Sequence, residues 1–238
     1  MKLKFDLHSH SRFSSDGVSE PEDMIYAARE RGLDGFAITD HNTCECVDYF
    51  LSKGYMREDG EPVNGLLIIP GQEVTTNEGH LLALGITLPD LRMHPPLEVC
   101  NLIHEKGGLA IPPHPYDLFR AGIREPVLDS LPIDALEVFN AATTLKRYNK
   151  KAFDYALKRK LPMTASSDAH NSEALGTAYT ILETREFNLK AVLKAIRDGG
   201  ELQQRYLTVQ DAFRKTFNNI FRIRKPASKK AHKARSKS

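Results

Sequence analysis

Short apolar runs alternate along the chain with segments whose apolar residues recur at helical spacing. Strands are expected at Leu3–His10, Gly35–Asp40, Leu66–Pro70, His80–Ile86, Leu109–Pro112, Ala135–Phe139, Leu161–Ser166 and Ala178–Leu182. Ser19-Glu20-Pro21-Glu22 has the form of a capping box with Pro in the first helical turn, and Gly32 suits the end of that helix. Leu97–Lys106 puts Val99, Leu102 and Ile103 on one stripe before Gly107-Gly108. Leu145–Lys160 and Leu189–Arg197 read as helices that stop at Pro162 and at Gly199-Gly200. Ser52–Asn64 is polar and turn-rich, which suggests a loop, and Tyr206–Ile223 reads as a helical appendage. Strand–helix alternation argues for parallel strands covered by helices in an α/β fold, and a barrel suits a chain of this length. We find no internal repeat and no second core.

The polar residues that close these runs are of one kind. Residues two apart in a strand point to the same side, so His8 and His10 project together at the end of the first run while Phe5 and Leu7 face a core. The second run delivers Asp40 and His41, the third is followed by Glu73, and His80 opens the fourth. His114 follows the fifth, and Asp168 and His170 follow the seventh, again two residues apart. A single histidine in such a place is usually structural or solvated. Repetition at one end of successive strands argues for a shared metal site, because that is where α/β barrels gather their ligands. Asp40 either binds or orients a neighbouring imidazole. Mixed nitrogen and oxygen donors without thiolates suit manganese, zinc or ferrous iron. Cys44-x-Cys46 has no second cysteine pair to complete a zinc site and reads as ordinary thiols.

Charge adds an asymmetry. The whole chain of 238 residues carries a net +2, but residues 224–238 hold seven Lys/Arg and no acid, so residues 1–223 are net acidic. The tail is expected to be disordered, and it either contacts short nucleic acid or solubilises the terminus. No apolar stretch is long enough for a transmembrane helix, which argues against a membrane partner, and Asp6, His8 and His10 break any signal-peptide core. Three cysteines, an odd number, fit reduced thiols in a cytoplasmic protein.

Asp-Leu-His-Ser-His-Ser from Asp6, Ile-Thr-Asp-His-Asn from Ile38, Gly-Gln-Glu from Gly71, Pro-His-Pro around His114 and Ser-Ser-Asp-Ala-His from Ser166 occur in order. Together they resemble the polymerase and histidinol phosphatase (PHP) superfamily of metal-dependent phosphoesterases. The resemblance spans about Phe5 to His170 and continues towards Gly200. It implies a distorted (β/α)7 barrel over residues 1–205, followed by the helical extension 206–223 and the basic tail 224–238. It also implies two or three divalent ions, manganese or zinc foremost, or ferrous iron. His8, His10, Glu73 and Asp168 resemble the first metal set. Glu73 as a bridge with His114 and His80 resembles the second, and Asp16, His41 and His170 the third.

The activity implied is hydrolysis of phosphoesters by metal-activated water, with a nucleotide or similar small phosphorylated compound as substrate. Asp40 and Arg120 are the expected catalytic groups, and no covalent serine is needed. Alternatives are a 5′–3′ exonuclease on short oligonucleotides and a non-catalytic module that binds nucleic acid or protein. Arg12 and the run Lys146, Arg147, Lys150 and Lys151 are either substrate contacts or solvated surface. Tyr116 and Phe119 are a candidate pair for stacking on a base. His94 and His104 lie off the pattern and read as non-ligands.

Overall fold

The computed structural model describes residues 1–206. In chain order the strands are β1 (Lys2–Asp6), β2 (Gly35–Ala37), β3 (Leu67–Ile69), β4 (Gly71–Thr76), β5 (Gly79–Leu84), β6 (Leu109–Ile111), β7 (Leu136–Asn140), β8 (Met163–Ser166), β9 (Tyr179–Glu183) and β10 (Glu201–Gln203). The helices are α1 (Pro21–Glu30), α2 (Glu45–Ser52), α3 (Pro96–Glu105), α4 (Val127–Ser130), α5 (Lys146–Arg159) and α6 (Leu189–Asp198).

Alternation along the strands divides the core. Leu3, Phe5, Leu7, Ala37, Leu67, Ile69, Leu82, Leu84, Leu109 and Ile111 join one buried cluster to which α6 adds Val192, Ala195 and Ile196. Their strand neighbours face the other way: Phe36, Ile38, Leu66 and Ile68 meet α1 and α2. Leu81, Ala83 and Ala110 meet α3 and α5. Burial on both faces is why the strands read as near-continuous apolar runs. The shared interior cluster, with α6 against it, is the apolar floor beneath the polar strand ends.

The hydrogen bonding departs from the expected ring of parallel strands. Among the described residues no closed barrel is found. The ladders form three sheets, β10-β9-β1-β2-β3, β4-β5-β6 and β7-β8. The β1-β2-β3 and β7-β8 pairs are parallel, whereas β4-β5-β6, β9 on β1 and β10 on β9 are antiparallel. β4 and β5 are joined by a tight turn, so no helix separates them and a parallel pairing is impossible there. α2, β4 and β10 were not marked by the apolar pattern.

Helix ends also differ from expectation. Glu20 precedes α1 without a side-chain cap, so Ser19 forms no capping box, although Pro21 starts the helix and Gly32 follows it at φ +63°. Asn188 caps α6 by accepting from Ala191 N at 2.9 Å. The loop expected at Ser52–Asn64 is present after the end of α2. The expected helical extension and basic tail lie, Tyr206 apart, outside the described residues. The domain boundary at residue 205 is therefore untested. Cys44, Cys46 and Cys100 are free, and Cys44 Sγ points at the carbonyls of Gly71 and Leu88.

Candidate metal centre

β1 ends at Asp6, so His8 and His10 belong to the loop beyond it. That loop is fixed on both flanks. Ser9 N donates to Thr39 Oγ1, His10 N to Ala169 O, and Asp168 N to His8 O. Asp6 anchors the neighbouring turn by accepting from Ser167 N at 3.0 Å and Gly176 N at 2.7 Å. The chain then folds back so tightly that a Cβ on Gly17 would collide with the Ser11 carbonyl. Asp16 is thereby returned to His170, with Oδ2 at 2.7 Å from Nε2.

Glu73, buried in β4, is the centre of the arrangement. Its Oε2 lies 3.1 Å from His8 Nε2, 3.2 Å from His10 Nε2 and 3.4 Å from His41 Nδ1. Its Oε1 lies 2.8 Å from His80 Nδ1 and 3.1 Å from His114 Nε2. One carboxylate therefore faces two groups of imidazoles with different oxygens. Asp168 Oδ1 is 3.6 Å from His8 Nε2 and 3.4 Å from His10 Nε2. His41 Nε2 completes the outer group at 3.7 Å from Asp16. All nine residues expected as ligands thus come together. The ligand atoms of four overlapping groups drawn from them each lie within 4.8 Å of one another. His114 and Asp168 hold positive φ, at 32° and 52°, a strained backbone that surrounding contacts must enforce.

The chemistry of the donors fits cations. A carboxylate can only accept, so the 3.2 Å contact with Glu137 Oε1 fixes the His8 ring through Nδ1 and turns its Nε2 towards the centre. That nitrogen faces His10 Nε2 at 3.0 Å and the oxygens of Glu73 and Asp168. His170 repeats the device, Nδ1 donating to the Asp168 carbonyl at 2.9 Å while Nε2 faces Asp16. Asp168 Oδ1 is buried with no hydrogen-bond partner. Imidazole nitrogens and carboxylate oxygens that converge this closely form a donor set suited to divalent ions, with Glu137 bracing an imidazole from behind.

The same crowding of charge shifts the protonation of these groups. Burial opposes charge on Glu73, but His41, His80 and His8 hold its carboxyl well below the ordinary range. Asp168 is held low against burial by Arg120 and His8. Burial opposes charge on His10 as well, yet Asp168 and Glu73 raise it to about 9. Burial takes His41 down to about 4, against the pull of Glu73 and with help from His10.

The two expected catalytic groups part company. Arg120 pairs with Asp168 Oδ2, and its Nε has no partner. It lines a cavity of about 220 Å³ together with Asp16, His41, Glu73, His80, His114, His170 and Phe119. Asp40 lies outside the clustered ligand atoms, both its oxygens accepting from Ser11, from N and from Oγ at 2.6 Å each. Arg12 pairs with Glu20 and covers the Phe13 ring, away from the cavity. Lys150 pairs with Asp154 and Lys151 sits over Tyr116, so this run is a helix face. Exposed His94 contacts Glu98 and His104 contacts Asp134, both away from the cluster.

Glu137 and Asn140 of β7 escaped the sequence reading. Glu137 holds His8 with Oε1 and accepts from His114 N at 2.7 Å with Oε2. Asn140 Nδ2 bridges Glu137 Oε2 and Asp168 Oδ2 at 2.9 and 3.1 Å. The available signal was a carboxylate inside the apolar run Ala135–Phe139.

Comparison with known proteins bears on this geometry. Residues 6–155 match the family model of the PHP domain, and residues 146–200 that of a PHP-associated region. An uncharacterized protein of Methanocaldococcus jannaschii, MJ1587, is 33% identical over 149 residues, 58% of this chain and 82% of that protein. A 5′-3′ exoribonuclease of Haemophilus influenzae is 30% identical over 115 residues, 47% of this chain and 39% of the relative. Among solved structures, endonuclease Q bound to a 27-mer duplex with an abasic lesion superposes with a TM-score of 0.67 at 19% identity. That match covers 91% of this chain and 67% of that one.

Proposed function

The chain belongs to the PHP domain family, and on that premise we propose that it is a metal-dependent phosphoric ester hydrolase of the phosphomonoesterase type, acting on a nucleotide or similar small phosphorylated substrate. The observation that carries the reading is Glu73, one buried carboxylate whose two oxygens each face two or more imidazoles. The proposed holders are His8, His10, Glu73 and Asp168 for one ion, Glu73, His80 and His114 for a second, and Asp16, His41 and His170 for a third. Divalent ions held there, manganese, zinc or ferrous iron, would lower the pKa of water and offset charge on phosphoryl oxygens.

The chain's own groups then have separable tasks. Arg120, held by Asp168 and by the Ala142 carbonyl, sets its positive charge at the cavity wall, where it would offset charge on a phosphoryl oxygen. Asp40 acts by position, holding the turn through Ser11 that carries His10. Glu137 fixes the ring of His8 and the backbone of His114. The cavity of about 220 Å³ is smaller than the roughly 300–1,000 Å³ of drug-sized ligand sites. It suits a terminal phosphate better than the middle of a duplex. Among the described residues no helix is long and apolar enough to cross a membrane. The three free thiols favour a cytoplasmic setting.

A second reading, stepwise 5′–3′ cleavage of short oligonucleotides, draws on the exoribonuclease relative and on the basic residues 224–238. A panel of nucleoside monophosphates, 3′,5′-bisphosphates and short 5′-phosphorylated RNA, each with Mn²⁺, separates the two. Phosphate release from the small esters is expected. Release of nucleotides from RNA alone would shift the assignment to the nuclease. A protein that retains no metal and turns over none of the panel would overturn both in favour of a binding module.

A further inference from the structure

The expected stacking pair Tyr116 and Phe119 is split by the structure. Tyr116 is buried against Tyr155 and under Lys151, out of reach of any substrate. Phe119 is 75% exposed and lines the metal cavity. It is the one side chain of that lining without a polar atom.

Such exposure on a slack loop would mean little, but this turn is fastened on every side. Asp117 accepts from Phe119 N at 3.1 Å through Oδ1, and from Thr144 N at 2.7 Å and Thr143 Oγ1 at 3.1 Å through Oδ2. Gly122 N donates back to the Asp117 carbonyl at 2.9 Å, and His80 N to Ala121 O at 2.8 Å. Gly122 approaches so closely that a Cβ would strike the His114 carbonyl. Tyr116 at φ +70° and Ala121 at φ +51° bracket the turn in left-handed conformations that non-glycine residues avoid. The same fastenings join the turn to His80 and His114, so the backbone that carries the phenyl ring is held at a fixed place relative to the candidate ligands. The ordering entropy of that backbone is already spent in folding, which favours a binding role.

We propose that Phe119 is the stacking surface for the nucleobase of a nucleotide whose phosphate occupies the metal cavity. The inference rests on the phosphoesterase reading. A phosphoryl group among the imidazoles must project its ester oxygen and the attached group out of the cavity, past a wall where Phe119 supplies the apolar face. A flat base gains from that face, whereas a bare sugar does not.

Kinetics and binding test this separately. Stacking contributes about 1–3 kcal/mol per base, so Phe119→Ala should raise KM for adenosine 5′-monophosphate about 5- to 150-fold. The KM for ribose 5-phosphate should stay within about twofold, since nothing of the sugar ester changes. Leu118→Ala, exposed on the same turn but outside the cavity lining, is the control and should leave both unchanged. The chain contains no tryptophan, so Phe119→Trp places a single tryptophan, excited apart from the tyrosines, at an exposed position. In the Mn²⁺-loaded variant, a non-hydrolysable adenosine 5′-phosphonate should quench it, and inorganic phosphate should not. Equal shifts in KM for both esters, no shift in either, or an unquenched tryptophan overturns the stacking assignment. If the wild-type protein hydrolyses neither ester, the phosphoesterase reading fails, and the quenching titration still decides whether Phe119 receives a base.

Discussion

The inner and outer parts of the metal centre are built differently. The side chains of His8, His10, Glu73, His114 and Asp168 are almost wholly buried, and a further layer braces them: Glu137 behind His8 and His114, Asn140 and Arg120 behind Asp168. At the rim, Asp16 is 42% exposed and His41 17%, although their partner His170 is buried; His80, beside Glu73, is 15% exposed. Asp16 has only Ser14 Oγ and the facing imidazoles to hold it. The inner donors are fixed in place by folding. On this comparison ions in the proposed inner positions would be retained more tightly than one at the rim.

The largest effect that can break the comparison is at the bridge. Glu73→Gln keeps the volume but removes the anion that faces both groups, and several kcal/mol of charge stabilisation correspond to a loss of about 10³-fold or more in kcat. Metal analysis by mass spectrometry should show the inner ions lost together; unchanged content and rate would mean Glu73 is not the bridge. A smaller effect is expected one layer out. Glu137→Gln keeps a hydrogen-bonding group beside His8 but removes its charge, and metal affinity should fall about 10–100-fold, as for other groups that orient a ligand. Circular dichroism should be unchanged, and an affinity within twofold of wild type would show that the bracing is only steric. Smallest is the rim. Asp16→Asn should remove one ion per chain and cost roughly tenfold in rate, on the scale of about 1.4 kcal/mol. Loss of the inner ions in the same variant would erase the distinction between the two parts.

Why the ligands were legible and their supports were not has a physical basis. His8, His41, Glu73, His114 and Asp168 each follow an apolar run, where a polar group has no structural reason to recur, so the pattern stands out in one dimension. Glu137 lies inside such a run, and its partners His8 and His114 are far away in sequence. Only the fold shows that its charge is satisfied. Strand existence was similarly visible while strand direction was not, because the antiparallel β4-β5-β6 sheet depends on which edges meet. β4 was hidden because Gln72, Glu73, Thr75 and Thr76 make it polar, although it is almost wholly buried. The stacking pair failed for a local reason: the left-handed backbone at Tyr116 turns that residue into the core while the same turn presents Phe119 outward.

One irregularity in β7 reaches further than its size suggests. The pairing with β8 slips between Glu137 and Phe139, one extra residue on β7 facing none on its partner. In an unbroken strand, residues three apart point to opposite faces; the bulge at Val138 lets Glu137 and Asn140 share one face and touch at 2.9 Å. Seen as an editing problem, the site hangs on a single codon. Removing Val138 would leave every ligand in the sequence and a more regular ladder in the sheet, yet it would turn Asn140 away from Asp168. A search that matched ligand motifs alone would score such a chain as intact.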